Sequence, residues 1–98
     1  MRPRTCASDE ELVTSARRGD YPAFEALVDR YAALVYSFAL LSEKKRGSAE
    51  ELTLSTFVSA IENLAEFGRS DTFGTWLLAI AVRETRTRRE RECGGKGL

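Results

Sequence analysis

"DYPAFEALVDRYAALVYSFALL", residues 20–41, is the stretch on which the fold turns. Its side chains Phe24, Leu27, Val28, Tyr31, Leu34, Val35, Phe38 and Leu41 recur at spacings of three and four, which puts them on one face of an α-helix. Asp20 can accept a hydrogen bond from the free amides of the first turn, and Pro22 lies where a missing N–H is tolerated. It is the clearest helix in the chain.

Three further helices are read on either side of it. Ser8 and Glu11 have the spacing of a capping box, followed by a short apolar face of Leu12, Val13 and Ala16 that Gly19 ends. After "SEKKRG", residues 42–47, which reads as a loop, Ser48 and Glu51 repeat the capping-box spacing and open a third helix. Leu54, Phe57, Val58, Ile61 and Leu64 form its apolar stripe, Glu50, Glu51, Ser55, Ser59 and Glu62 fall on the other side, and Phe67 and Gly68 mark its end. Ser70, Asp71 and Thr72 are alternative caps for a fourth helix, whose stripe is Phe73, Trp76, Leu77, Ile80 and Ala81. Nothing reads as a strand, so the fold class is all-α, a small bundle of four helices. The domain is expected at residues 8–91, between a flexible N-terminus, 1–7, and a flexible tail, 92–98.

Composition narrows the chemistry. The 98 residues suffice for one domain, and Lys plus Arg equals Asp plus Glu at 15 each, so any attraction to nucleic acid must come from local clustering. With no histidine, the usual general base near neutral pH and the commonest transition-metal ligand are both missing. Cys6 and Cys93 cannot make a tetrahedral zinc site by themselves, and "GGKGL" lacks the spacing of a phosphate-binding loop. No catalytic residue, metal site or cofactor is therefore expected. With no signal peptide and no apolar run long enough to span a bilayer, a cytoplasmic location with free thiols is the simplest expectation, a terminal disulfide being the alternative.

Binding is the better class. "RETRTRRERE", residues 83–92, carries Arg83, Arg86, Arg88, Arg89 and Arg91 with no apolar residue among them. It is either a solvated helix end, whose cations suit the negative end of the helix dipole, or a stripe that contacts phosphates. Lys44, Lys45 and Arg46 form a second basic cluster. The spacing of Phe73 and Trp76 with Leu77 and Ile80 favours burial, although the indole N–H of Trp76 could reach a surface and its ring could stack on an unpaired base.

The order of motifs resembles region 2 of the extracytoplasmic-function (ECF) sigma factors, the bacterial subunits through which RNA polymerase recognises promoters. "DEELVTSARRGDYPAFEALVDRYAALVYSFAL", residues 9–40, matches the family's D-x-x-L-V followed by G-D-x-x-A-F-x-x-L. "SAEELTLSTFVSAIENL", residues 48–64, is similar to D-A-E-D-x-x-Q-E-T-F-x-x-A-W, and "FGTWLLAIAVRETRTRR", residues 73–89, to F-R-T-W-L-x-x-I-A-R-N and a basic run.

The resemblance implies a helical domain whose third helix docks on the clamp helices of the largest subunit of core RNA polymerase, here through Glu50, Glu51, Leu54 and Ser55. It also implies capture of the non-template strand of the promoter −10 element by the loop from Gly68 to Thr72, with Arg69 and Ser70 as contacts, and by Thr75, Trp76, Arg83 and Arg86 of the last helix. Lys45 and Arg46 are added as DNA-contact candidates, and an anti-sigma factor is a candidate partner. The chain departs from the pattern at Ser48, Leu54 and Ser55, where the family has an aspartate and a Q-E pair. It departs again at Gly74, Val82 and Arg83, where the family has arginine and R-N. The alternative reading is a sigma-like protein-interaction module of a larger regulator that no longer initiates transcription.

Overall fold

The computed structural model describes residues 7–68 and 72–97, with only the backbone described beyond Arg91. The described residues form four α-helices: α1 (Asp9–Arg17), α2 (Tyr21–Glu43), α3 (Arg46–Glu62) and α4 (Phe73–Gly97). A short 3-10 turn, Leu64–Glu66, follows α3. The helical backbone of α4 therefore continues past the domain boundary expected at Arg91.

Two of the expected caps form as read. The Ser8 hydroxyl accepts from the Glu11 amide at 3.1 Å and Glu11 returns the bond to the Ser8 amide at 3.0 Å, closing the capping box of α1. Asp20 caps α2 by accepting from the Ala23 amide, and Gly19, at φ +94, supplies the left-handed residue that separates the two helices.

The next junction differs from the sequence reading. α2 runs on to Glu43 and stops at Lys44, whose φ of 64 is left-handed and whose amide donates to the Leu40 carbonyl at 2.8 Å. After one extended residue, Lys45, α3 begins at Arg46 without a side-chain cap. The expected loop at 42–47 is thus two residues long. Ser48 already lies inside the first turn of α3, and the Ser48–Glu51 capping box does not form. α3 also ends earlier than expected, at Glu62. Asn63 closes it by donating from its side chain to the Ser59 carbonyl at 2.8 Å.

The main core joins Leu12 and Val13 of α1, Phe24, Leu27 and Val35 of α2, Phe57 and Ala60 of α3, Leu64, and Phe73, Leu77 and Ile80 of α4. A smaller cluster of Ala39, Ala49 and Leu52 closes the other end of the α2–α3 pair, where two alanine side chains let the backbones approach. Four residues read as core are instead open to solvent: Leu34 at 46% exposure, Leu41 at 78%, Leu54 at 67% and Val58 at 45%. The alanines at 23, 39, 49 and 60, by contrast, are fully buried. Thr56 and Thr85 are buried too, and each satisfies its hydroxyl by donating to the carbonyl four residues back.

Candidate functional site

Two exposed faces carry the residues that the sequence singles out. The first is the open side of α3. Glu50, Glu51 and Leu54 are exposed there and Ser55 is half-buried. Leu54, Val58 and Ile61 border an open groove of about 500 Å³ between α2 and α3, floored by Phe24, Val28, Ala32 and Phe57 and edged by Glu50. The sequence pattern had put Leu54, Val58 and Ile61 in the core stripe; half-buried Ile61 does pack against the core, but Leu54 and Val58 are exposed and with it form an apolar surface with an acidic rim. A surface of this composition suits a protein partner that brings both apolar side chains and cations.

The second face belongs to α4. The Thr72 hydroxyl accepts from the Thr75 amide at 3.2 Å and so caps the helix, as one of the three caps the sequence allowed; the other two, Ser70 and Asp71, lie outside the described residues. Thr75 is exposed, and its hydroxyl accepts from that of Thr72 at 2.9 Å. Trp76 is half-buried, 5.1 Å from the ring of Phe67 and 5.7 Å from that of Phe73, which is itself 5.5 Å from Tyr31. The indole is thus part of an aromatic cluster at the start of α4 with part of its surface open. Arg69 and Ser70 lie outside the described residues.

Past Ala81 the character of α4 changes. Arg83, Arg86, Arg89 and Arg91 are exposed, and Thr85 is the one buried position of that half among the residues whose side chains are described. Arg88 differs from its neighbours. Its side chain is only 18% exposed, and it lies 3.6 Å from Glu43 and 3.3 Å from Glu51. The helix is therefore not solvated all round. Lys45 and Arg46 are exposed at the α2–α3 junction, on the turn itself and on the first residue of α3.

Several contacts that organise these faces have no counterpart in the local sequence pattern. Arg17 of α1 donates from Nε to the Leu64 carbonyl at 3.1 Å and from its terminal nitrogen to the Phe67 carbonyl, while its guanidinium lies 5.9 Å from the Phe67 ring centre. It fastens the chain immediately before the segment that leads to α4. Tyr31 donates its hydroxyl to Asp9, which also pairs with Arg30 at 2.6 Å. Burial first, and then the Asp9 hydrogen bond and charge, push the Tyr31 hydroxyl up to about 12, so it is a neutral donor at physiological pH. Gly74 packs on this ring: a Cβ there would lie 3.1 Å from Tyr31 Cε1. These partners are separated by 47 and 50 residues for Arg17 and 22 for Tyr31, too far for helical periodicity to reveal.

Comparison with known proteins follows the same outline. Residues 27–92 match the family model for Sigma-70 region 2. The chain is 42% identical over 80 residues to ECF RNA polymerase sigma factor SigC of Mycobacterium tuberculosis, covering 76% of this chain and 42% of that protein. It is 38% identical over 74 residues to ECF RNA polymerase sigma factor BldN of Streptomyces coelicolor, covering 72% of this chain and 27% of that protein. With RNA polymerase sigma-H factor of Pseudomonas aeruginosa it shares 30% identity over 78 residues, 80% of this chain and 40% of that protein. The chain thus spans less than half the length of these relatives.

Proposed function

Because this chain belongs to the Sigma-70 region 2 family, we propose that it docks on bacterial core RNA polymerase and holds the non-template strand of a promoter −10 element. The observation that carries the reading is the division of α4. Its first half buries Phe73, Leu77, Ile80 and Ala81, and its second half presents Arg83, Arg86 and Arg89 to solvent at intervals of three residues. Such a stripe can follow a phosphate backbone, each arginine giving a geometry-fixed contact and displacing counterions.

Opening a duplex costs a few kcal/mol per unpaired base, and stacking on an aromatic ring returns roughly 1–3 kcal/mol. Trp76, half-open at the edge of its cluster, is the ring positioned for that contact. Thr75 beside it offers a hydroxyl, Lys45 and Arg46 add positive charge at the other junction, and Arg69 and Ser70 belong to the same reading. The departures at Gly74, Val82 and Arg83 remove side chains with which the family resemblance associates base contacts. Phosphate contact and stacking consequently carry more of the binding than base-edge hydrogen bonds.

On the other face, Glu50 and Glu51 supply acceptors for cations of the polymerase clamp helices, while Leu54 and the groove beside it supply apolar contact. An anti-sigma factor is the class of regulator that would compete for this face. The location consistent with such a role is the bacterial cytoplasm. The exposed apolar groove also favours a second reading, a protein-interaction module that keeps the scaffold without initiating transcription.

Two measurements separate these readings. In a pull-down with core RNA polymerase the first reading expects retention of the chain. In fluorescence polarisation with a labelled −10 non-template strand it expects salt-sensitive binding that weakens for Arg69→Ala and Arg83→Ala. Loss of retention, or DNA affinity indifferent to both substitutions and to salt, contradicts it.

A further inference from the structure

We infer that Arg88 is a positioning residue that locks the polymerase-facing end of α3 to the arginine-bearing half of α4, and that it is not one of the phosphate contacts of that half. This rests on the docking role proposed for Glu51.

The sequence places Arg88 in an unbroken charged run, but its surroundings set it apart. Its guanidinium sits where three helices meet. Nη2 reaches Glu51 Oε1 on α3 at 3.3 Å, and Nε lies 3.6 Å from Glu43 Oε2 in the last turn of α2. Glu43 is only 14% exposed in its side chain, and the buried Nε has no hydrogen-bond partner, so the contact between them is ionic. A carboxylate this far withdrawn from water favours a compensating cation, which ties Arg88 to the helix junction and withholds it from an external phosphate.

The other end of the pair has the opposite character. Glu51 is 72% exposed in its side chain, with one carboxylate oxygen engaged by Arg88. Its second oxygen remains available to a partner's cation. Holding the first oxygen reduces the rotamers that Glu51 must give up on docking, the saving that preorganisation provides. A planar guanidinium can face two carboxylates from different helices at once, which a lysine ammonium on a flexible stem does less well. Thr85 is the only buried side chain described beyond Ala81, and the Arg88 contacts tie that half of α4 to α2 and α3.

Variants of the full chain test this by titration against core RNA polymerase and against a labelled single strand. Arg88→Gln is expected to weaken polymerase binding about fivefold, the upper range for an exposed ion pair. In a Glu51→Gln background the same change should have no further effect. The salt dependence of single-strand binding should keep the wild-type slope in Arg88→Gln, whereas Arg86→Gln should lower it by about 0.7. If Arg88→Gln does not fold, Arg88→Lys keeps a cation beside Glu43 without the planar reach to both carboxylates, and the same expectations apply to it. A reduced salt slope for the Arg88 variant, or an equal loss of polymerase affinity with and without Glu51, overturns the inference. Undiminished polymerase affinity in Glu51→Gln alone overturns the docking role of Glu51, and this inference with it.

Discussion

Tyr31 shows how single side chains set the shape of the bundle at the start of α4. Its ring carries Phe73 on one side and meets Gly74 closely, while its hydroxyl is held by Asp9 of α1. Tyr31→Phe removes that hydrogen bond but leaves Arg30 to pair with Asp9, so a loss of about 1 kcal/mol is expected. In thermal unfolding that is a drop of roughly 4–8 °C for a domain of this size. The pH dependence has a definite sign. A hydroxyl raised from 10.0 to about 12 favours the protonated form in the folded state. Its contribution is whole below the ordinary tyrosine value and disappears as the pH rises through about 12, an effect that ultraviolet titration of the wild type against Tyr31→Phe would detect. Residues of this kind divide by how far away their partners lie. Ser8, Glu11 and Asp20 were legible because a cap acts over three residues. Arg17 and Arg88 were not, because their partners stand on distant segments of the chain, and a run of arginines looks the same whether its members face water or a half-buried carboxylate.

At the scale of the element, α4 joins a buried apolar half and an exposed, arginine-rich half in one backbone. Leu77 is fully buried, and Leu77→Ala should cost about 2–5 kcal/mol in denaturant unfolding. Arg86→Gln, on the exposed half, should change stability by less than about 0.5 kcal/mol while altering the salt dependence of DNA binding. Thr72→Ala removes the cap of α4 and should cost about 1 kcal/mol, read as lower thermal stability. Helical periodicity identified all four helices, since stripes spaced by three and four have no other ready explanation. It did not reveal how much of each stripe is covered. Leu34, Leu41, Leu54 and Val58 continue their stripes faithfully and are nevertheless open, because the number and placement of neighbouring helices decide coverage. The α2–α3 junction was misread for a related reason. Polar composition suggested a six-residue loop, but left-handed Lys44 and extended Lys45 turn the chain and the helices run up to these two residues on either side.

For the whole molecule, the central feature is one bundle that exposes an acidic-rimmed apolar groove on α3 and an arginine stripe on α4. The helical fold and the family were legible from motif order, and the bundle explains why the motifs come in that order: each quoted block contributes one or two helices and their buried contacts. The site was less legible, because an exposed leucine and a core leucine share the same spacing, and Leu54 is the first kind. Leu54→Asp should leave helical circular dichroism and unfolding within about 0.5 kcal/mol of wild type, as an exposed position allows, while disrupting retention on core polymerase. The most direct test is uptake of a labelled −10 non-template strand by core RNA polymerase with and without this chain. The account predicts that the chain raises uptake well above that of core polymerase alone, and that Leu54→Asp and Arg86→Gln each reduce it through a different face. Uptake no greater with the chain than without it would contradict the account.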